Sequence, residues 1–226
     1  MRVLGIDTST ATASVGVRVG DSVVAEESQT ASRSHTVSLL DLIDVVLRRA
    51  GLTVGDLDAI AVSNGPGTFT GLRISLSVAK GLAYASGAQV VGIPTLEALA
   101  RTVAGEDIPI CALLDARKGE VYAACFQPGP RGLRRLTADM LLTPEALLEH
   151  LPAPCVVLGD GLWRYQDFLR QRVRTPLRLL PPEAYGPRGG VVATLGSERL
   201  RAGSSGDLAR LEPAYIRPPD ARLRAR

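Results

Sequence analysis

The sequence predicts an α/β fold built twice, each half reading β-β-β-α-β-α-β-α. Three observations carry that expectation. Two strand-turn-strand openings, over residues 3–19 and 108–126, each bring an apolar strand to an aspartate, Asp7 and Asp115. A glycine loop joins strand to helix at the matching place in both halves, Asn64-Gly65-Pro66-Gly67 and Gly159-Asp160-Gly161. Short apolar runs alternate with helix-length segments, the rhythm of buried parallel strands connected by helices. The likeness between the halves is one of architecture, not of residue identity.

In the first half, Val3-Leu4-Gly5-Ile6-Asp7 and Ala13-Ser14-Val15-Gly16-Val17 form a hairpin across the turn at 8–12. Ser22-Val23-Val24-Ala25 follows the Gly20-Asp21 turn as a third strand. A helix is expected over 35–50, a buried strand at Ala59-Ile60-Ala61-Val62 and a helix over 70–85. Val90-Val91-Gly92-Ile93 is the fifth strand, and Thr95 caps a helix running to about Val103. Small and polar residues at Ala104-Gly105-Glu106-Asp107 mark a boundary between a first lobe, 1–104, and a second, 105–226.

The second half opens with Ile110–Asp115, a turn over Ala116–Gly119 and a strand at Glu120–Phe126. Proline and glycine make 127–135 a loop, with a third strand near Leu133–Leu136. Thr143-Pro144-Glu145 starts a helix: a capping hydroxyl, proline in the first turn, an early acid. Cys155–Leu158 is a buried strand, followed by a helix over 162–172, a strand at Leu177–Leu180 and a helix over 190–201.

Composition narrows the class. Of 226 residues, 46% are apolar and 22% charged, which excludes collagen-like, disordered and disulfide-scaffold chains. No apolar run of about 18 residues exists to cross a membrane, and the apolar start ends at Asp7, too soon for a secretory signal. A net charge of +3 is weak support for an anionic partner. Arg217, Arg222, Arg224 and Arg226 crowd the C-terminus, as either a frayed tail or a contact to RNA or a partner. Cys111, Cys125 and Cys155 sit in apolar runs and are expected as reduced core residues.

Candidate chemistry is sparse. The Asp7-Thr8-Ser9 turn could offer hydroxyls and N–H groups to a phosphate and a carboxylate to its magnesium, or be simply an ordinary tight turn. It lacks the glycine that lets a backbone approach phosphate oxygens. The run Asn64–Arg73, with Gly65, Gly67 and Gly71, could hold an anion at a helix start or be a rigid strand-to-helix turn. Asp115 and Glu120 could pair across a hairpin, or answer Arg117 and Lys118. His35 and His150 give no two-histidine metal motif on one helix, and neither lies in a nucleophile elbow.

Two helices stand out. Over 37–50 the polar residues Asp41, Asp44 and Arg48 make one narrow stripe, leaving more apolar surface than one sheet face needs. The helix at 70–85 is rich in small residues, which permit close helix–helix approach. A protein interface and a deeply buried core both fit.

The runs Leu4–Ser9, Ser34-His35, Asp58–Val62, Gly65–Arg73, Ala79–Ala83, Leu114–Tyr122 and Pro213–Arg217 resemble the bacterial TsaB family, also called YeaZ. The resemblance implies the actin-like ATPase fold of two duplicated lobes and a cytoplasmic location. It implies pairing with a catalytic paralogue, TsaD, which transfers a threonylcarbamoyl group to N6 of the adenosine next to the anticodon in ANN-decoding tRNAs. A small ATPase, TsaE, completes the assembly, and a homodimer can form when the paralogue is missing. The chain is then a non-catalytic scaffold or activator without a cofactor, its phosphate turn at Asp7, Thr8 and Ser9 degenerate. The family's interface, built from the first two helices, maps onto His35, Leu39, Leu42, Ile43, Val46, Thr70, Arg73, Ser77 and Lys80. The alternatives are an active kinase of the same fold and a glycoprotease-like peptidase, the latter short of metal ligands.

Overall fold

The computed structural model describes every residue except 31–38, 104, 131, 174–175, 182–185, 187, 205–207, 209–210 and 218–226. The first sheet contains β1 (Arg2–Asp7), β2 (Thr12–Val19), β3 (Ser22–Thr30), β4 (Ala59–Gly65) and β5 (Gln89–Pro94), in the order β3-β2-β1-β4-β5. The second contains β6 (Ile110–Arg117), β7 (Glu120–Gly129), β8 (Gly132–Arg135), β10 (Cys155–Leu158) and β11 (Leu177–Leu179), in the order β11-β10-β6-β7-β8. Taken from its other edge, the second order repeats the first. In each sheet the antiparallel hairpin comes first and parallel strands are added on the far side of its first strand. The duplicated fold expected from the sequence is present.

β1, β4, β6 and β10 are buried on both faces, as their unbroken apolar runs require. The helices that cover them are α1 (Leu39–Arg49), α2 (Phe69–Ser86), α3 (Thr95–Arg101), α4 (Pro144–Leu147), α5 (Asp160–Arg172) and α6 (Gly189–Arg201). Thr143 Oγ accepts the Ala146 N–H at 3.3 Å, the cap its sequence predicts. Thr95 is a correction. It is the first residue inside α3, Pro94 is the cap, and the buried Thr95 hydroxyl makes no hydrogen bond. A second correction is 127–135. β7 continues to Gly129, and β8 pairs back on it from Gly132, so the loop shrinks to a tight turn. An additional short strand, β9 (Met140–Leu142), pairs with β7.

The last helix of each half packs on the other half's sheet. Leu96, Leu99 and Ala100 of α3 belong to the core around β6 and β7. Val192, Ala193 and Leu195 of α6 pack on Val3, Ala59, Ala61, Val91 and Ile93 of the first sheet. The expected boundary near residue 104 is thus crossed in both directions. α6 lies so close that a Cβ on Gly5 would come within 2.0 Å of the Gly189 carbonyl oxygen. Its first N–H groups are satisfied by the first lobe: Gly189 donates to Ser14 Oγ at 2.9 Å and Gly190 to Glu26 Oε1 at 2.8 Å. The three cysteines are free and buried in the second lobe's core.

A filled turn and an apolar helix face

Asp7 ends β1 where the two lobes meet, and its carboxylate is buried. Oδ1 accepts the Ser9 N–H at 2.8 Å and the Ser9 hydroxyl at 2.7 Å, while Oδ2 accepts the Ser63 hydroxyl from β4. Burial pushes the Asp7 pKa up, and the hydrogen bonds from Ser63 and Ser9 only partly offset it. The carboxylate therefore fastens its own turn to β4.

The glycine loop closes over the same turn. Thr68 donates its N–H to the Ser9 carbonyl at 2.7 Å, and the Thr8 hydroxyl donates to the Gly71 carbonyl at 2.7 Å. A Cβ on Gly67 would stand 2.7 Å from Ser9, and one on Gly71 would stand 1.9 Å from the Thr8 carbonyl oxygen. What these glycines admit is the Thr8-Ser9 backbone, so the loop is a rigid packing element rather than the anion cradle its glycines suggest. Between Asp7, Ser9, Thr95, Leu99 and Leu114 the space open to water is about 10 Å³, room for roughly one water molecule.

The C-terminal segment ties this region down. Ala214 donates its N–H to the Asn64 carbonyl at 2.7 Å, where Gly65 takes a φ of +125°. Tyr215 stacks on Phe69 with centroids 5.3 Å apart and accepts a hydrogen bond from Arg73 Nε at 3.0 Å. The Arg73 guanidinium lies 3.7 Å from the Phe69 ring centre. Two residues on, Arg217 reaches the second lobe, bonding the Ala116 carbonyl and pairing with Glu120. Of the four C-terminal arginines, Arg217 is thus an inter-lobe tie; the other three lie outside the described residues. Asp115 and Glu120 do not pair with each other: Asp115 is met by Arg117 and Arg164, and Glu120 by Arg217.

The expected interface residues divide. Thr70, Arg73 and Ser77 are exposed on one side of α2, with Lys80 half-buried along the same stripe. Leu42, Ile43 and Val46 are buried in the first lobe's core, with Val46 at 0% exposure, because α1 turns them onto β2 and β3. Leu39 is half-buried beside them. His35 lies outside the described residues. Large apolar side chains that sequence reasoning missed do face outward: Ile74 is 47% and Tyr84 87% exposed on α2, with Phe69 at its start and Leu40 and Val45 on α1. Their signal was the α2 stripe Thr70, Ile74, Ser77, Gly81 and Tyr84, five positions at helical spacing without a charge. No group of three or more His, Cys, Asp or Glu that could hold a metal occurs among the described residues. Nor is any described helix long and apolar enough to cross a membrane.

A twice-built α/β fold, its two sheets repeating one strand order, is the fold of the actin-like class. Residues 23–158 match the family described as TsaD, tRNA N6-adenosine threonylcarbamoyltransferase. The tRNA threonylcarbamoyladenosine biosynthesis protein TsaB of Haemophilus influenzae is 36% identical over 229 residues, covering 96% of this chain and 94% of that one. TsaB of Escherichia coli K12 is 29% identical over 223 residues, with 96% and 95% covered. Among solved structures, YeaZ from Pseudomonas aeruginosa superposes with a TM-score of 0.82 at 27% identity, covering 95% of this chain and 99% of that one. The activator of the 2-hydroxyisocaproyl-CoA dehydratase from Clostridium difficile, with bound ADPNP, shares the fold at a TM-score of 0.52 and 13% identity, with 90% and 97% covered. The chain belongs to the TsaB family.

Proposed function

We propose that this chain is the non-catalytic subunit of a tRNA threonylcarbamoyladenosine-forming assembly, acting by docking on the catalytic paralogue TsaD. The observation that carries the reading is the outward face of α2, where Ile74 and Tyr84 are exposed on a stripe without charge. Such a face gains by burial against a second helical surface. A second row, Phe69, Arg73 and Lys80, borders it, and Arg73 is held in place there by Tyr215 and Phe69. Leu40 and Val45 extend it onto α1.

The closed space beside Asp7 argues against a kinase. A phosphoryl-transfer site needs an open cleft in which phosphates meet backbone N–H groups and a metal; here the nearest loop is packed on the turn. The catalytic work falls to the paralogue, and this chain supplies a rigid surface that orders it. TsaE and tRNA join through that assembly, and the same α2 face pairs two copies of the chain when the paralogue is missing.

An omission assay tests this. TsaD, TsaE, a threonylcarbamoyl-AMP source and unmodified tRNA are combined with and without the chain, and modified adenosine is quantified. Product should collapse on omission, while the chain alone hydrolyses no ATP. Unchanged product refutes the role.

A further inference from the structure

The second lobe carries a basic strip that docking through α2 leaves unused. It begins at the turn between β6 and β7. Arg117 and Glu120 face each other in register, so the hairpin loop is only Lys118-Gly119. Such a loop needs positive φ at both residues and is normally built from asparagine, aspartate and glycine. Here Lys118 takes a φ of 55°, and Arg117 before it takes 60°. Two long cations occupy backbone positions that small residues fill more easily, and both are exposed.

Helix α5 continues the strip. Asp160 accepts the Asp115 N–H at 2.9 Å, which seats the start of α5 over the end of β6. Trp163 and Arg164 lie three and four residues further on, on the same helix face. Arg164 reaches the Asp115 carboxylate at 3.3 Å, and Arg117 reaches the same oxygen at 3.2 Å. Two guanidiniums share one carboxylate, and the neighbouring Asp160 carboxyl also faces Arg117, so these acids hold the two arginines in place at the head of α5. Arg170 follows in line with Trp163, with the acid Asp167 between them, and Arg172 follows in line with Arg164 beside Phe168, so the two exposed arginines stand on different flanks of α5. At the head of the strip Trp163 is 60% exposed, and it is the chain's one tryptophan.

A set of arginines beside an exposed indole matches single-stranded RNA, which offers phosphates to cations and an unstacked base to an aromatic face. An acidic peptide would use the arginines but give the indole no flat partner. We propose that this strip is an RNA contact in which Arg117, Arg164, Arg170 and Arg172 track the phosphate backbone and Trp163 stacks on an unpaired base. That the RNA is tRNA rests on the function proposed above; the contact itself does not.

The single tryptophan provides the readout. An unmodified ANN-decoding tRNA transcript is titrated into the full chain while Trp163 fluorescence is followed, with heparin and polyglutamate as base-free polyanions. RNA should quench Trp163 and the polyanions should not. Arg170→Glu with Arg172→Glu should weaken RNA binding at least fivefold and lower the log–log salt slope by roughly one per arginine removed. In filter binding, Trp163→Leu should weaken binding by about fivefold or more, and Trp163→Tyr should restore most of it. The proposal falls if RNA leaves the fluorescence unchanged, if polyglutamate quenches as well as RNA, or if the arginine pair has no effect. The omission assay on the same variants separates the two readings. Wild-type chain that supports product, with arginine variants of unchanged KM for tRNA, refutes the strip and leaves the docking role standing. A chain that supports no product refutes the docking role, and the quenching titration still decides the strip.

Discussion

Ile74→Asp and Val46→Asp lie on adjacent helices and should fail in opposite ways. Ile74 is 47% exposed on the outward side of α2, so in the free chain the aspartate remains in water. Its effect on monomer stability should stay within about 0.5 kcal/mol, as for ordinary surface substitutions. In the complex proposed with TsaD the same carboxylate would be buried without a partner. An uncompensated buried charge costs about 3–5 kcal/mol, which is a Kd weaker by roughly two to three and a half decades at 1.4 kcal/mol per decade. Val46 is fully buried against the first sheet. An aspartate there loses the apolar contacts and buries a charge, a loss comparable to the whole stability of a domain, about 5–15 kcal/mol. Thermal unfolding of each isolated variant and a binding titration against TsaD distinguish them. Ile74→Asp should melt like wild type and lose its partner; Val46→Asp should fail to fold. An Ile74→Asp chain that binds TsaD with wild-type affinity would show that the docking face lies elsewhere. A folded Val46→Asp chain would contradict the packing of α1.

Four other substitutions probe the filled turn and its surroundings. Asp7 has a folded pKa raised above the ordinary 3.8, so the folded chain holds that proton more tightly and stability falls as pH rises through the window above 3.8. Asp7→Asn removes this dependence, and denaturant titrations from about pH 4 to 7 should show the variant gaining on wild type with pH; parallel curves would mean that Asp7 does not titrate there. Gly71→Ala places a methyl 1.9 Å from the Thr8 carbonyl oxygen and should destabilise by about 1–3 kcal/mol. Gly81→Ala on the same helix meets nothing within 4 Å and should stabilise by about 0.5–1 kcal/mol. Equal melting temperatures for the two glycine variants would refute the close packing of the loop. Tyr215→Ala removes both the stack on Phe69 and the hydrogen bond to Arg73; a loss of about 1–2 kcal/mol is expected by chemical denaturation.

The strands were legible because buried parallel strands write themselves as short apolar runs; Cys155–Leu158 is bounded as its residues imply. Edges were less so. β3 and β7 extend beyond their apolar cores because their outer residues pair by backbone, which side-chain pattern does not record. Thr95 misled because a threonine before a helix looks like a cap, whereas here the strand ends directly in the helix. The surplus apolar surface of α1 was real but misplaced. Leu42, Ile43 and Val46 take the inward side, and the surplus is Leu40 and Val45. The sequence left the glycine loop open between an anion cradle and a rigid turn because its partner, the Thr8-Ser9 backbone, lies some sixty residues away. The tie through Tyr215 and Arg217 spans still longer separations.

The exchange of helices between the halves also orders events in time. During synthesis the strands of the first sheet emerge early, but the helix that seals one of its faces begins only at Gly189. Until then, of the residues that pack on Val3, Ala59, Ala61, Val91 and Ile93, only Ala98 of α3 has been made, and the rest of α3 waits for a sheet whose first strand begins at Ile110. Neither half can finish alone on the ribosome, so a nascent chain truncated before α6 presents a sticky apolar sheet face to chaperones and proteases. Splitting the gene near residue 104 should yield two aggregating fragments rather than two domains, each soluble only when the other is present to lend its last helix.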